Sequence, residues 1–267
     1  MENNEAKDDS EEVAKKVSYW RKFQSGAFVS AALLVSAGQW NDSKELALSL
    51  YSSFVENFTH TLQYELIEKI NVGNSVQYIS SVIGEPNMIK RSKLDPEVQF
   101  FYYNKEKFSL TIMLGKERVN GYSVMSKVDD FEPKIPFAET LGQVTLASAN
   151  NGDYSYNFDT GNLIYYTESQ DLGKEKMYLS LVRGYIEYAA NLATEDDDAQ
   201  YRNKIHGQLD KLMQQETFGE NEQSLTSTIS GIRGLVRPNY YAISELSNSI
   251  MAESLLTRFE FQALTKS

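Results

Sequence analysis

Few residues in this chain are placed to do chemistry, and each set could do only a narrow range of it. The densest carboxylate run is Glu195, Asp196, Asp197 and Asp198. A calcium loop needs oxygen ligands alternating around a glycine turn, and this run lacks that pattern. Acidic residues meeting the positive end of a helix dipole account for it. Asp153 and Asp159 fall on the two turns of one hairpin, in Asn151-Gly152-Asp153 and Asp159-Thr160-Gly161-Asn162. They could hold a calcium ion, and ordinary turn chemistry explains the same residues without one. The two histidines, His60 and His206, have no Gly-x-Ser-x-Gly elbow beside them. The chain has no cysteine, which removes thiol nucleophiles, disulfides, cysteine-bound zinc and a lipid-bearing cysteine. The expectation is a non-enzymatic protein with no catalytic residue, no metal and no cofactor. The enzyme alternative is a hydrolase with a carboxylate-based site, which would need Asp and Glu converging in a cleft with perturbed pKa values.

Residues suited to contact are easier to find than residues suited to catalysis. The segment 231–239 carries Arg233 and Arg237 and is the one local basic patch in an acidic chain. Cations closing a helix explain it equally well. There are 17 tyrosines, and Tyr102, Tyr154 and Tyr156 fall on segments with strand character, where tyrosine serves either an interface or an ordinary sheet. These five residues are the candidate partner contacts. The partner is expected to be protein: a net charge of -11 argues against nucleic acid. At 41% hydrophobic residues the chain can bury a substantial core.

The elements that must position these residues follow from patterning. Residues 1–21 are polar and acidic at first and read as a cytoplasmic tail. Residues 22–40 form the one long apolar run, with Phe23, Gly26, Leu33, Leu34, Val35 and Trp40 as its markers. Three readings of it stand: an uncleaved signal anchor, a cleaved signal peptide, or a buried helix of a soluble protein. Lys15, Lys16, Arg21 and Lys22 precede the run. As an anchor it would therefore leave the N-terminus cytoplasmic and the body periplasmic, in a single-pass inner-membrane protein. Residues 42–70 have apolar residues at helical spacing, enough for a long helix and a candidate homo-oligomer seam.

Beyond residue 70 the texture changes. Ser75 is a helix cap, Gly84 and Pro86 a stop, and residues 98–103, 107–114 and 119–125 are strand-like. Residues 128–141 read as a linker. Residues 144–149 suggest a strand, 154–167 a hairpin, 177–192 either a strand or a helix, and three helical stretches run from Asp196 to the end, the last over 242–264.

One stretch resembles a known family. Gly73 and Ser75, then Val82, Ile83, Gly84 and Pro86, then a tyrosine-rich strand and a Val119-Asn120-Gly121-Tyr122 turn, resemble the SmpA/OmlA (BamE-like) unit over residues 66–125. The resemblance implies a non-enzymatic protein-binding module of the bacterial envelope. The chain lacks that family's lipidated cysteine. The expected fold is α+β: an N-terminal membrane helix, a long helix within 41–127 leading into a BamE-like helix-helix-three-strand unit, and then 142–267 as a β-hairpin region with C-terminal helices.

Overall fold

The computed structural model describes residues 60–149, 152–187, 196–219 and 221–266. The chain divides into two compact units, Met1–Leu62 and Gln63–Ser267, and the second holds nearly all of the described residues. Its helices are α1 (Thr61–Glu68, entering from the first unit), α2 (Val76–Ile83), α3 (Leu146–Ala149), α4 (Asp196–Phe218), α5 (Glu222–Leu235), α6 (Asn248–Glu253) and α7 (Arg258–Lys266). Its strands are β1 (Met88–Arg91), β2 (Val98–Asn104), β3 (Phe108–Gly115), β4 (Arg118–Ser126), β5 (Ser155–Thr160), β6 (Ile164–Asp171), β7 (Ser180–Ile186) and β8 (Tyr240–Ser244).

All eight strands join one antiparallel sheet in the order β1-β2-β3-β4-β8-β7-β6-β5. Two meanders, β1 to β4 and β5 to β7, are thus sealed edge to edge by a strand from near the C-terminus. The pairing is tight. A Cβ on Gly184 would lie 2.1 Å from the Tyr166 carbonyl oxygen, and one on Gly121 would lie 2.4 Å from the Ser244 hydroxyl.

Local sequence sets the elements as expected in several places. Ser75 accepts the Tyr78 N–H at 3.2 Å and starts α2, and Gly84, at φ 88°, ends it. Asn221 accepts the Ser224 N–H at 2.8 Å and starts α5. Alternation along β2 and β3 sends side chains to both faces, and both faces are covered. On one face, Tyr103, Leu110, Ile112, Val124 and Ile243 pack against α1, α2 and the segment 131–141. Further along the same face, Tyr166 and Tyr185 pack against α4 and α5. On the other face, Phe100, Tyr102, Met113 and Tyr240 meet α6 and α7. Each of these large side chains contributes about 1.5–3 kcal/mol by leaving water.

The expectation of a fold that opens with a membrane helix is corrected by this architecture. The fold is α+β built on one eight-stranded antiparallel sheet, and among the described residues no helix is long and apolar enough to cross a membrane. Among the described residues, three clusters of buried side chains line the two faces of the sheet. Phe23, Gly26, Leu33, Leu34, Val35 and Trp40 lie outside the described residues, as does most of the 42–70 seam. Residues 128–141, read as a linker, carry Phe131, Ile135 and Leu141 into the core. Phe131 stacks on Phe108, centroids 5.1 Å apart. Residues 146–149 are a short helix rather than a strand. The stretch read as one helix over 242–264 is a strand followed by two short helices.

Candidate functional site

The five candidate contact residues go to three different places. Tyr102 is a core residue whose hydroxyl donates to the Ser254 carbonyl at 2.9 Å, so it has no surface to offer a partner. Arg233, Tyr154 and Tyr156 converge on one cluster. Arg237 stands apart, on the rim of a cleft.

The cluster is built on a cross-strand row. Tyr156, Glu168, Arg183, Tyr241, Val124, Leu110 and Tyr103 are successive partners from β5 across to β2. Side chains directly opposite in antiparallel strands share a face, so this row places a carboxylate and a guanidinium between two apolar cores. Glu168 is only 4% exposed. Its Oε1 accepts the Tyr166 hydroxyl at 3.0 Å and lies 2.9 Å from Arg233 Nε. The Arg233 guanidinium covers the Tyr154 ring at 4.1 Å. Arg183 donates to the Ala149 carbonyl at 3.2 Å and reaches Glu139 at 3.5 Å. The Tyr156 hydroxyl donates to Glu216 on α4 at 2.7 Å, and its ring lies over that of Tyr166, centroids 6.1 Å apart. Burial, then the bond to Glu216, pushes the Tyr156 hydroxyl up to about 12.

Burial raises the Glu168 carboxyl, against the pull of the Arg233 charge and the Tyr166 bond. Burial likewise lowers Arg183, against the nearby Glu139 and Glu168. A raised, desolvated carboxyl resembles a general acid. This one is sealed under α5 and paired with a cation, so no substrate reaches it. The other shifted carboxylates are Glu253 and Glu260. Burial acts to raise both. For Glu253 the bonds from Ser92, Lys93 and Leu94 and the Lys90 charge outweigh it, and for Glu260 those from Lys90 and Thr257 do, so both are lowered. They tie α6 and α7 to β1 and the turn after it, with Lys90 Nζ 2.7 Å from Glu260. Among the described residues no group of three or more His, Cys, Asp or Glu is placed to hold a metal ion. Among the described residues the shifted carboxyls are Glu168, under α5, and Glu253 and Glu260, beside β1.

Two clefts remain. One of about 430 Å³ has Ser126, Lys127, Glu132, Tyr201, Arg237 and Asn239 in its walls. Its polar groups are largely committed to the fold. Lys127 Nζ turns away to the Asn104 side chain at 2.9 Å and the Lys105 carbonyl at 2.7 Å, and the Tyr201 hydroxyl accepts the Arg237 N–H at 2.9 Å. The other, of about 230 Å³, is lined by Ser155, Asn157, Thr167, Ser169 and Asn248 on the open half of the opposite sheet face.

The surface feature that sequence reasoning missed is a patch of large apolar side chains held outward. In the turn from β6 to β7, Met177 is 72% and Tyr178 71% exposed, and Phe137 on the neighbouring 134–140 turn is 52% exposed. Lys176 Nζ sits 4.8 Å from the Phe137 ring centroid and joins the two turns. All three apolar residues adopt left-handed backbone, with φ of 67° at Phe137, 58° at Met177 and 57° at Tyr178. Each such non-glycine residue costs roughly 1–2 kcal/mol. The only sequence signal was a pair of bulky residues directly after Gly173-Lys174-Glu175-Lys176, where polar turn residues are the norm.

No family model, no curated protein and no solved structure matches this chain.

Proposed function

We propose that the chain is a non-enzymatic protein-binding module, and that its docking surface is the Phe137–Met177–Tyr178 patch. The observation that carries the reading is the combination of exposure with backbone strain at all three positions. A turn selected for stability alone would place Gly or Asn at left-handed positions and polar residues in water. Keeping Phe, Met and Tyr there costs free energy twice, once in the backbone and once in hydration. A partner that buries these side chains offsets both costs.

The charge around the patch indicates the partner's character. Lys134, Lys174 and Lys176 flank it, against Glu175; Glu139 is already engaged by Arg183. This is a basic island on a chain of net charge -11. The partner that fits is a protein segment presenting apolar side chains with acidic residues beside them. The resemblance of residues 66–125 to an envelope binding unit supports the same class of function.

The test is a comparison of the native chain with a variant carrying Phe137→Ser, Met177→Ser and Tyr178→Ser. Both are recovered from their own cells at native abundance, with circular dichroism to verify the fold. A protein present in stoichiometric amount with the native chain, lost from the variant and released by salt, is the expected result. The same companions on both chains, or none on either, would contradict the proposal.

A further inference from the structure

The sheet has two edges, and they are treated differently. β1 is four residues long, follows Pro86, carries Lys90 and Arg91, and is tied to α7 by the Lys90–Glu260 pair. Short length, proline and charge are the usual protections of an open edge. β5 is longer, has no proline and has a single charge. It runs for six residues, Ser155-Tyr156-Asn157-Phe158-Asp159-Thr160. Its pairing is with β6 alone, and among the described residues no backbone hydrogen bond reaches its outer side. Phe218 is 81% exposed on α4, two residues past the Glu216 that holds Tyr156. An aromatic side chain thus stands in water close to this edge.

We propose that β5 is the seam of a homodimer, pairing antiparallel with β5 of a second copy about a two-fold axis at Asn157. The sequence of the strand argues for a second copy as its occupant. Opposed side chains in a continuous sheet share a face, so a residue can oppose only one of its own parity. With Asn157 opposite itself, Tyr156 faces Phe158 of the second copy, and Phe158 faces its Tyr156. These are two aromatic cross-strand pairs. On the other face, Ser155 opposes Asp159 of the second copy, a hydroxyl donor against a carboxylate, again twice. The Asn157 Oδ1 accepts the Tyr165 hydroxyl at 2.7 Å, which leaves its amide donors for the amide across the axis. Shifting the axis to Tyr156 sets Asp153 against Asp159, and shifting it to Asp159 sets that carboxylate against itself. Charge therefore disfavours the registers about Tyr156 and Asp159, and of the two that remain the Asn157 axis is the one that pairs Tyr156 with Phe158 twice. Two eight-stranded sheets would become one of sixteen, and both β5 edges would be closed by one isologous contact.

The complete chain is the right material for the test, and its lack of cysteine makes single-thiol probes unambiguous. Sedimentation equilibrium at micromolar concentration should give twice the 30.3 kDa chain mass. Asn157→Lys sets two like charges face to face and should raise the dissociation constant at least about tenfold. Asn157→Cys should form an intermolecular disulfide under mild oxidation, because directly opposed Cα atoms lie about 4.5–5.5 Å apart. Ser155→Cys, which faces Asp159 and not itself, should not. A monomeric chain would overturn the proposal and leave β5 open to a strand from another protein. A dimer indifferent to Asn157→Lys, or one that crosslinks as well through Ser155→Cys, would overturn it too.

Discussion

Glu168 carries a carboxylate where the fold can least easily hold one, and it is the residue whose removal is most informative. Deleting one partner of a buried ion pair leaves the other uncompensated. Glu168→Gln removes the buried carboxylate that Arg233 pairs with, while Arg183 keeps Glu139, and is expected to cost about 3–5 kcal/mol, read from the urea midpoint. A Glu168→Leu, Arg233→Met double variant should recover most of that loss. The pH dependence has a definite sign. The folded Glu168 carboxyl is raised above its ordinary value, with desolvation the largest cause. Its contribution is therefore fully present below the unfolded value and is lost as pH rises through the raised folded value. Glu253 and Glu260 are lowered and act in the opposite sense: their contribution is present above 4.5 and is lost as pH falls through their folded values. Thermal midpoints between about pH 3 and pH 8 should show both trends, and the Glu168→Gln variant should lose the one on the alkaline side.

At the scale of elements, sequence reading passed over the short strand β1, left β7 open between strand and helix, and took most of β8 for helix. All five residues of β8 are buried, and β7 is buried throughout except at Ser180, which is half-buried. A strand covered on both sides has no polar alternation, so Ala242 to Ser244 merge with Leu246 and Ile250 into a stretch that reads as helical. Strands with ordinary alternation, β2 and β3, and elements with clear caps, α2 and α5, were legible for the same reason that they are stable: local pattern and tertiary position agree. Of the candidate contacts, Arg233, Tyr154 and Tyr156 are adjacent in the fold. The chain alone could not show that a glutamate on β6 would pair with Arg233 and stand opposite Tyr156, because register across strands is a tertiary fact. Gly184 is the sharpest test of the β6–β7 contact. Its Cβ would collide with the backbone of Tyr166 and Thr167, so Gly184→Ala should cost about 1–3 kcal/mol by overpacking. The β6–β7 turn should respond the other way. Met177→Gly relieves a left-handed residue and should gain stability, by about 1 kcal/mol in a thermal or urea measurement, since nothing in the fold depends on that exposed side chain. The same substitution should weaken partner binding.

For the molecule as a whole, one continuous sheet gives a rigid frame with helices on both faces, and the exposed patch is carried at one margin of it. The two halves that sequence suggested as separate regions share the β4–β8–β7 seam. The account stands or falls on whether the patch meets another protein, so the most direct measurement is contact at that spot in the living cell. A photoreactive phenylalanine analogue would be placed at Tyr178, at Phe137, and at Lys204 on the exposed side of α4 as a control. The account predicts one discrete adduct of the same mass shift from positions 178 and 137, abolished by Met177→Ser and absent from position 204. No adduct at the patch, or equal labelling at position 204, would contradict it.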